Sequence, residues 1–276
     1  MKILITGASG FIGKYLKNYF SNKHEVITPT SKELDLTNEE LVSDFFKDKY
    51  FDAIIHSAVI GRNSVFATDS DIGVKIISMF TNIVKNNSHF GKLINFGSGA
   101  EFGLDHSVDD AREADILNVV PIEGYGFAKN SISRSILNLK RCYNLRVFAC
   151  IDISENEQRL FKKFKNIVDQ GRVFELDQDR YVDFVSLHDI AIVVSAVLDD
   201  QIMDTDINVV YQDKCMVSTL LNKYCEVNDI NPSLLKITGI TNKNYTGNGN
   251  ILAGYNLALE GIVPTLKKYK EQNESL

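Results

Sequence analysis

The chain has 276 residues, 44% of them hydrophobic, which is enough to fill one large core or two modest ones. Its net charge of −6 leaves no electrostatic footprint for nucleic acid, and no run approaches the ~20 apolar residues of a membrane span. Cys142, Cys150, Cys215 and Cys225 lack CxxC spacing and a histidine cluster, so they read as reduced thiols of a cytoplasmic protein, with no metal site.

From the N-terminus, apolar runs of strand length alternate with segments of helical period. KILIT (2–6) precedes Ile12, Leu16, Tyr19 and Phe20 on one helical face, and VIT (26–28) precedes a helix over 38–48. DAIIHSA (52–58) precedes a helix over 71–86, KLINFGS (92–98) precedes one over 126–141, and LRVFAC (145–150) closes the series. Strands that are apolar throughout, separated by helices, predict a doubly wound α/β fold with a parallel sheet covered on both faces. The second half is less regular. Helices are expected over 155–169, 188–199 and 217–226, and strands over 173–176, 181–185 and 207–210. TNKNYTGNGN (241–250) reads as a loop, and the Lys/Glu-rich tail after 264 is expected to end exposed.

GASGFIG (7–13) stands between the first strand and the first helix, the context in which glycines let a pyrophosphate approach backbone N–H groups. Its Gly7-x-x-Gly10-x-x-Gly13 spacing resembles the short-chain dehydrogenase/reductase superfamily. TGASGFIG resembles in particular the extended branch, the NAD-dependent epimerase/dehydratase family, which acts largely on nucleotide sugars. The resemblance implies a Rossmann-type sheet over 1–150, joined by a return segment at about 180–210, and a small substrate lobe within 151–276. It assigns Gly7, Ser9, Gly10, Phe11, Ile12 and Gly13 to the dinucleotide, Asp35 and Leu36 to its adenine, and Ser57 and Ala58 to its riboses. His56 reads as structural. After the second strand, where an acidic residue would accept the 2′-hydroxyl of NAD(H), stand Thr30, Ser31 and Lys32. Hydroxyls and an ammonium suit a 2′-phosphate, so NADP(H) is expected in preference to NAD(H).

YGFAK places Tyr125 and Lys129 one helical turn apart. A tyrosine titrating near 10 is a poor acid or base at neutral pH, and an adjacent ammonium stabilises its phenolate. The resemblance makes Tyr125 the general acid, Lys129 its electrostatic partner and ribose anchor, and Ser98 in FGSGAEFG the hydroxyl on the substrate oxygen. The sugar 4,6-dehydratases carry an acid pair just after this hydroxyl. The 3,5-epimerase/4-reductases carry a cysteine where Ala100 stands and a later histidine that NEQRLFKKF (156–164) lacks. With Gly99 and Ala100 in those places, hydride transfer at one carbon remains.

The expectation is therefore NADP(H)-dependent reduction of a nucleotide-linked 4-keto-6-deoxy sugar, with Gly99 and the arginines Arg62, Arg159 and Arg180 as substrate contacts. Two alternatives stay open: a C4 epimerase holding NAD tightly, and a non-catalytic NADP-sensing protein. RVFACI (146–151) resembles an Arg-Leu-Phe-Asn segment whose Asn is Ala149 here. DRYVDFVSLHDIA (179–191) resembles a segment in which Asp189 caps the following helix, with His188 facing solvent or the cleft, or helping to cap the helix. Analogy with the family implies a homodimer through the helices over 71–86 and 126–141.

Overall fold

Strands that are apolar on both sides bury both faces only when helices cover the sheet above and below. The computed structural model, which describes residues 1–60 and 70–271, has that arrangement. Its elements are β1 (Lys2–Thr6), α1 (Phe11–Phe20), β2 (Glu25–Ile27), α2 (Glu39–Phe46), β3 (Phe51–His56), α3 (Ser70–Val84), β4 (Phe90–Ser98), β5 (Val108–Ala111), α4 (Gly124–Ile136), β6 (Cys142–Val147) and β7 (Ala149–Ile151). There follow α5 (Leu160–Val168), β8 (Phe174–Leu176), β9 (Phe184–Ser186), α6 (Leu187–Leu198), β10 (Asp206–Asn208), α7 (Val217–Val227), β11 (Leu235–Ile237), β12 (Tyr245–Gly247), α8 (Asn250–Gly254) and α9 (Val263–Glu271).

Six strands pair in the order β2-β1-β3-β4-β6-β10, all parallel. The direction of winding reverses between β1 and β3, so a crevice opens where their carboxyl ends part. Register aligns Thr6 with His56 and His56 with Asn95, and Ser98 ends β4 opposite Val147. The ends of four strands thus share one edge.

Alternation along β1 sends Ile3 and Ile5 to one face and Leu4 to the other. On the first face they meet Leu16 and Phe20 of α1 and Ile190 and Val194 of α6. On the second, Leu4, Ile54 and Leu93 meet Val42, Phe46, Ile76, Phe80 and Ile132. Each such side chain contributes ~1.5–3 kcal/mol by leaving water, so both helical layers are needed to hold the sheet.

A third core joins Phe161, Phe164, Leu221, Tyr224, Leu266 and Tyr269 in the C-terminal part. The structure departs from the sequence-based expectation in two places, in residues 245–247 and at the end of the fourth helix. Residues 245–247 form β12, paired with β5, inside the stretch read as a loop. The tail begins as α9, which buries Leu266 and Tyr269, and Tyr269 donates to Glu155 Oε1 at 2.8 Å; the end of the tail, expected to be exposed, lies outside the described residues. The fourth helix ends at Ile136, and Leu139 packs onto the second core from the turn beyond it. Besides α6 and β10, residues 251–259 also return to the first core through Ile251, Leu252, Tyr255, Leu257 and Leu259.

Candidate active site

The chain leaves β1 at Thr6 and turns at Gly7, whose φ of +73° is a left-handed conformation open mainly to glycine. A Cβ on Gly7 would lie 2.5 Å from Ala58 N, and one on Gly13 would lie 2.5 Å from Ser57 Oγ. The two glycines therefore let the loop after β1 close onto the end of β3. Gly10 N donates to Gly7 O at 2.9 Å, and Gly10 opens α1 with no side-chain cap and no acidic residue in the first turn. First-turn amides in that setting suit an anion.

Over this cradle lies a cavity of about 510 Å³. Gly7, Ser9, Gly10, Thr30, Ser31, Asp35, Leu36, Ser57 and Ala58 line it, while Phe11, Ile12 and Gly13 belong to the first turn of α1. Ser57 Oγ donates to Thr6 O at 2.7 Å and ties the two strand ends together. Thr37 donates to Asp35 through its hydroxyl (2.7 Å) and its amide (2.9 Å), which holds the Asp35 carboxyl below its usual range.

Lys32 stands outside the cavity wall and is exposed. The cause is a hydrogen-bonded turn: Thr30 donates through its amide and hydroxyl to Glu33 Oε2 at 2.8 and 2.9 Å, and Glu33 N and Leu34 N return to Thr30 O at 3.0 and 2.9 Å. This tight turn keeps Leu34 in the wall and Lys32 off it. The cation among the described lining residues is instead Lys17 of α1, which shares the lining with Thr28–Ser31. Sequence reasoning passed over Lys17; its one signal is its position one helical turn beyond Gly13.

Ser98 ends β4 and caps a single 3-10 turn, Gly99–Phe102. Its Oγ accepts from Ala100 N at 3.2 Å, and its own N–H donates to Glu101 Oε1 at 2.8 Å. Glu101 is fully buried. Arg146 Nε donates to its other oxygen at 2.6 Å, and Arg146 Nη2 reaches Asp206 at 2.8 Å. Burial pushes the Glu101 carboxyl up, and the Arg146 guanidinium opposes that shift.

Tyr125 sits half-buried in the first turn of α4. That turn docks directly on the one after Ser98. A Cβ on Gly126 would lie 2.7 Å from Ala100 O, and Asn130 Nδ2 donates to Glu101 O at 2.9 Å. One turn on, the buried Lys129 ammonium donates to Phe96 O at 2.6 Å. Burial first, and the Lys129 charge second, lower the His56 imidazole to a pKa of about 3, so His56 is neutral and bonds Thr6 Oγ1 at 2.8 Å. Ser98, Tyr125 and Lys129 thus stand at the sheet edge that carries the cradle.

The residues expected on the substrate scatter. Gly99 is buried beneath the rings of Phe148 and Tyr245. Arg159 stacks 4.6 Å above the Phe11 ring and pairs with Glu155 at 3.2 Å. Arg180 donates to Lys243 O at 2.9 Å beside a separate surface hollow shared with Ile240 and Asn244. Arg62 lies outside the described residues. Asp189 corrects another expectation: Ser186 caps α6, and the buried Asp189 carboxylate accepts from Glu260 N (2.8 Å), Gly261 N (2.9 Å) and the Tyr211 hydroxyl. His188 is partly exposed and lies 3.2 Å from Glu260.

A parallel sheet with a glycine cradle at its switch point, flanked by Ser, Tyr and Lys, is the arrangement of the short-chain dehydrogenase/reductase type. The chain matches and belongs to the NAD dependent epimerase/dehydratase family, over residues 3–209. It is 32% identical over 138 residues to the GDP-L-colitose synthase of Yersinia pseudotuberculosis, a match spanning 47% of this chain and only 44% of that relative. With the GDP-6-deoxy-D-talose 4-dehydrogenase of Aggregatibacter actinomycetemcomitans it shares 26% identity over 241 residues, 82% of this chain and 80% of the other. A GDP-mannoheptose C4 reductase from Campylobacter jejuni, solved with NADP bound, superposes with a TM-score of 0.81 at 16% identity, covering 99% of this chain and 98% of that one. No helix among the described residues is long and apolar enough to cross a membrane.

Proposed function

We propose that the chain is an NADP(H)-dependent reductase of the 4-keto group of a nucleotide-linked sugar, with GDP as the nucleotide. The observation that carries this reading is the docking of the Tyr125 turn onto the Ser98 turn, with Lys129 bonded to Phe96 O at 2.6 Å, on the edge that holds the glycine cradle. The cradle fits a dinucleotide: its glycines leave room at the backbone, and the first turn of α1 carries no acidic residue. Lys17, Thr30 and Ser31 supply a cation and hydroxyls suited to a 2′-phosphate. The names of the three relatives support GDP as the nucleotide, and two of them place redox chemistry at C4.

A bound reduced nicotinamide supplies a hydride. The protein's own groups do the rest. Ser98 donates its hydroxyl hydrogen to the ketone oxygen and polarises it, and the Tyr125 phenol delivers a proton to the forming alkoxide. Lys129, on the same face of α4, adds positive charge where the phenol loses its proton. Glu101, the carboxylate nearest Ser98 in sequence, is committed to Arg146 and is unavailable for the proton transfers of an elimination. The helices α3 and α4 pack on each other, and each leaves a large apolar side chain exposed, Val74 and Phe127, which supports the homodimer expectation.

The test is incubation with NADPH and a panel of 4-keto GDP-sugars while reduced-cofactor absorbance is followed. Stoichiometric consumption with one or more sugars is expected. Interconversion of C4 epimers without net consumption would replace this reading by the epimerase one, and inertness to the whole panel would refute it.

A further inference from the structure

Tyr245 belongs to the Asn/Gly-rich stretch that reads as a loop, and it lies beyond the residues 3–209 that match the family. The fold nevertheless brings its hydroxyl to 3.5 Å from Ser98 Oγ. This placement is held on several sides. Tyr245 N donates to Tyr181 O at 2.9 Å, and Asp183 N donates to Tyr245 O at 3.1 Å. On its other edge β12 pairs with β5, and the Tyr245 ring meets Phe148 edge-on with centroids 5.0 Å apart. Glycine at position 99 makes room for it, since a Cβ there would lie 2.7 Å from Tyr245 Cζ.

A serine hydroxyl has one hydrogen to donate and two lone pairs to accept with. At Ser98 the amide of Ala100 engages one lone pair, at 3.2 Å. A phenol is more acidic than an alcohol, so between the two hydroxyls Tyr245 is the donor and Ser98 the acceptor. With both lone pairs engaged, the single Ser98 hydrogen is left to point away from Ala100 and Tyr245, toward a ketone. The 3.5 Å separation is the outer limit of such a bond, and catalytic hydrogen bonds are commonly long in ligand-free sites and tighten with substrate.

We propose that Tyr245 is a positioning residue: it donates a hydrogen bond to Ser98 and so directs the Ser98 hydroxyl at the substrate carbonyl. This rests on the reductase reading above. The experiment is a double-mutant cycle of wild type, Ser98→Ala, Tyr245→Phe and the double variant, assayed with NADPH and the 4-keto sugar that the wild type reduces, alongside NADPH binding by fluorescence. Tyr245→Phe keeps the ring against Phe148 and removes only the hydroxyl. It is expected to lower kcat about tenfold, the effect of one net hydrogen bond, with KM for the sugar and NADPH affinity unchanged. In the Ser98→Ala background the same substitution is expected to change nothing. A Tyr245→Phe kcat within twofold of wild type, an equal loss in the Ser98→Ala background, or a parallel loss of NADPH binding would each overturn the role. A wild type inert toward every 4-keto sugar would overturn the reductase reading and this role with it.

Discussion

Arg146 Nε donates to Glu101 Oε2 at 2.6 Å with both side chains fully buried, and the other Glu101 oxygen accepts from the backbone of Ser98 at 2.8 Å. The ion pair therefore anchors the turn that presents the Ser98 hydroxyl. Removing one partner strands a buried charge, which costs about 3–5 kcal/mol. Arg146→Leu is expected to lose that much stability in denaturant titrations. A midpoint unchanged within error would show that Glu101 does not depend on Arg146.

Lys17 lines the same cavity as Thr30 and Ser31, whereas Lys32 does not. Replacing Lys17 by Met is expected to weaken NADPH about tenfold or more in calorimetric titration, the range of a charge-assisted contact, while NADH affinity stays as in wild type. Equal weakening of both cofactors, or of neither, would remove Lys17 from phosphate recognition.

The low pKa of His56, about 3, has a consequence for stability. In the unfolded chain the imidazole titrates near 6.5, so below that pH the unfolded state binds a proton that the folded state refuses. The folded-state pKa is depressed, so its contribution is fully present above about 6.5 and is lost as pH falls from there toward about 3, at about 1.4 kcal/mol per pH unit. Thermal melts from pH 7 to 4 are expected to show this slope, and His56→Gln, which keeps a partner for Thr6, is expected to flatten it by one proton. Identical slopes in the two proteins would contradict the assignment.

Where residues act through short-range spacing, the sequence is readable. The three glycines, the Tyr125–Lys129 turn and Ser98 at a strand end announce themselves, because each lies within one βα unit. The remainder depends on partners far apart in the chain. Nothing local marks Arg146 as the partner of Glu101 and Asp206, since a charge inside an apolar strand acquires its meaning only from the neighbouring strands. Tyr245 was hidden by composition: Asn and Gly suggest a loop, yet β5 and residues 181–183 supply the hydrogen bonds that make it a strand. In α9 the Lys and Glu residues mask an apolar stripe at Leu266 and Tyr269. Lys32 has the right charge at the right distance from β2, but the hydrogen-bonded Thr30–Glu33 turn carries it out of the wall.

Tyr125→Phe tests proton delivery most directly. The phenyl ring keeps the half-buried place at the head of α4, and the hydroxyl that carries the proton is removed. Expected are unchanged NADPH affinity and a fall in turnover of 4-keto GDP-sugar of at least about a hundredfold, the usual contribution of a positioned general acid. Turnover within a few-fold of wild type, with NADPH still bound, would contradict the assignment of Tyr125.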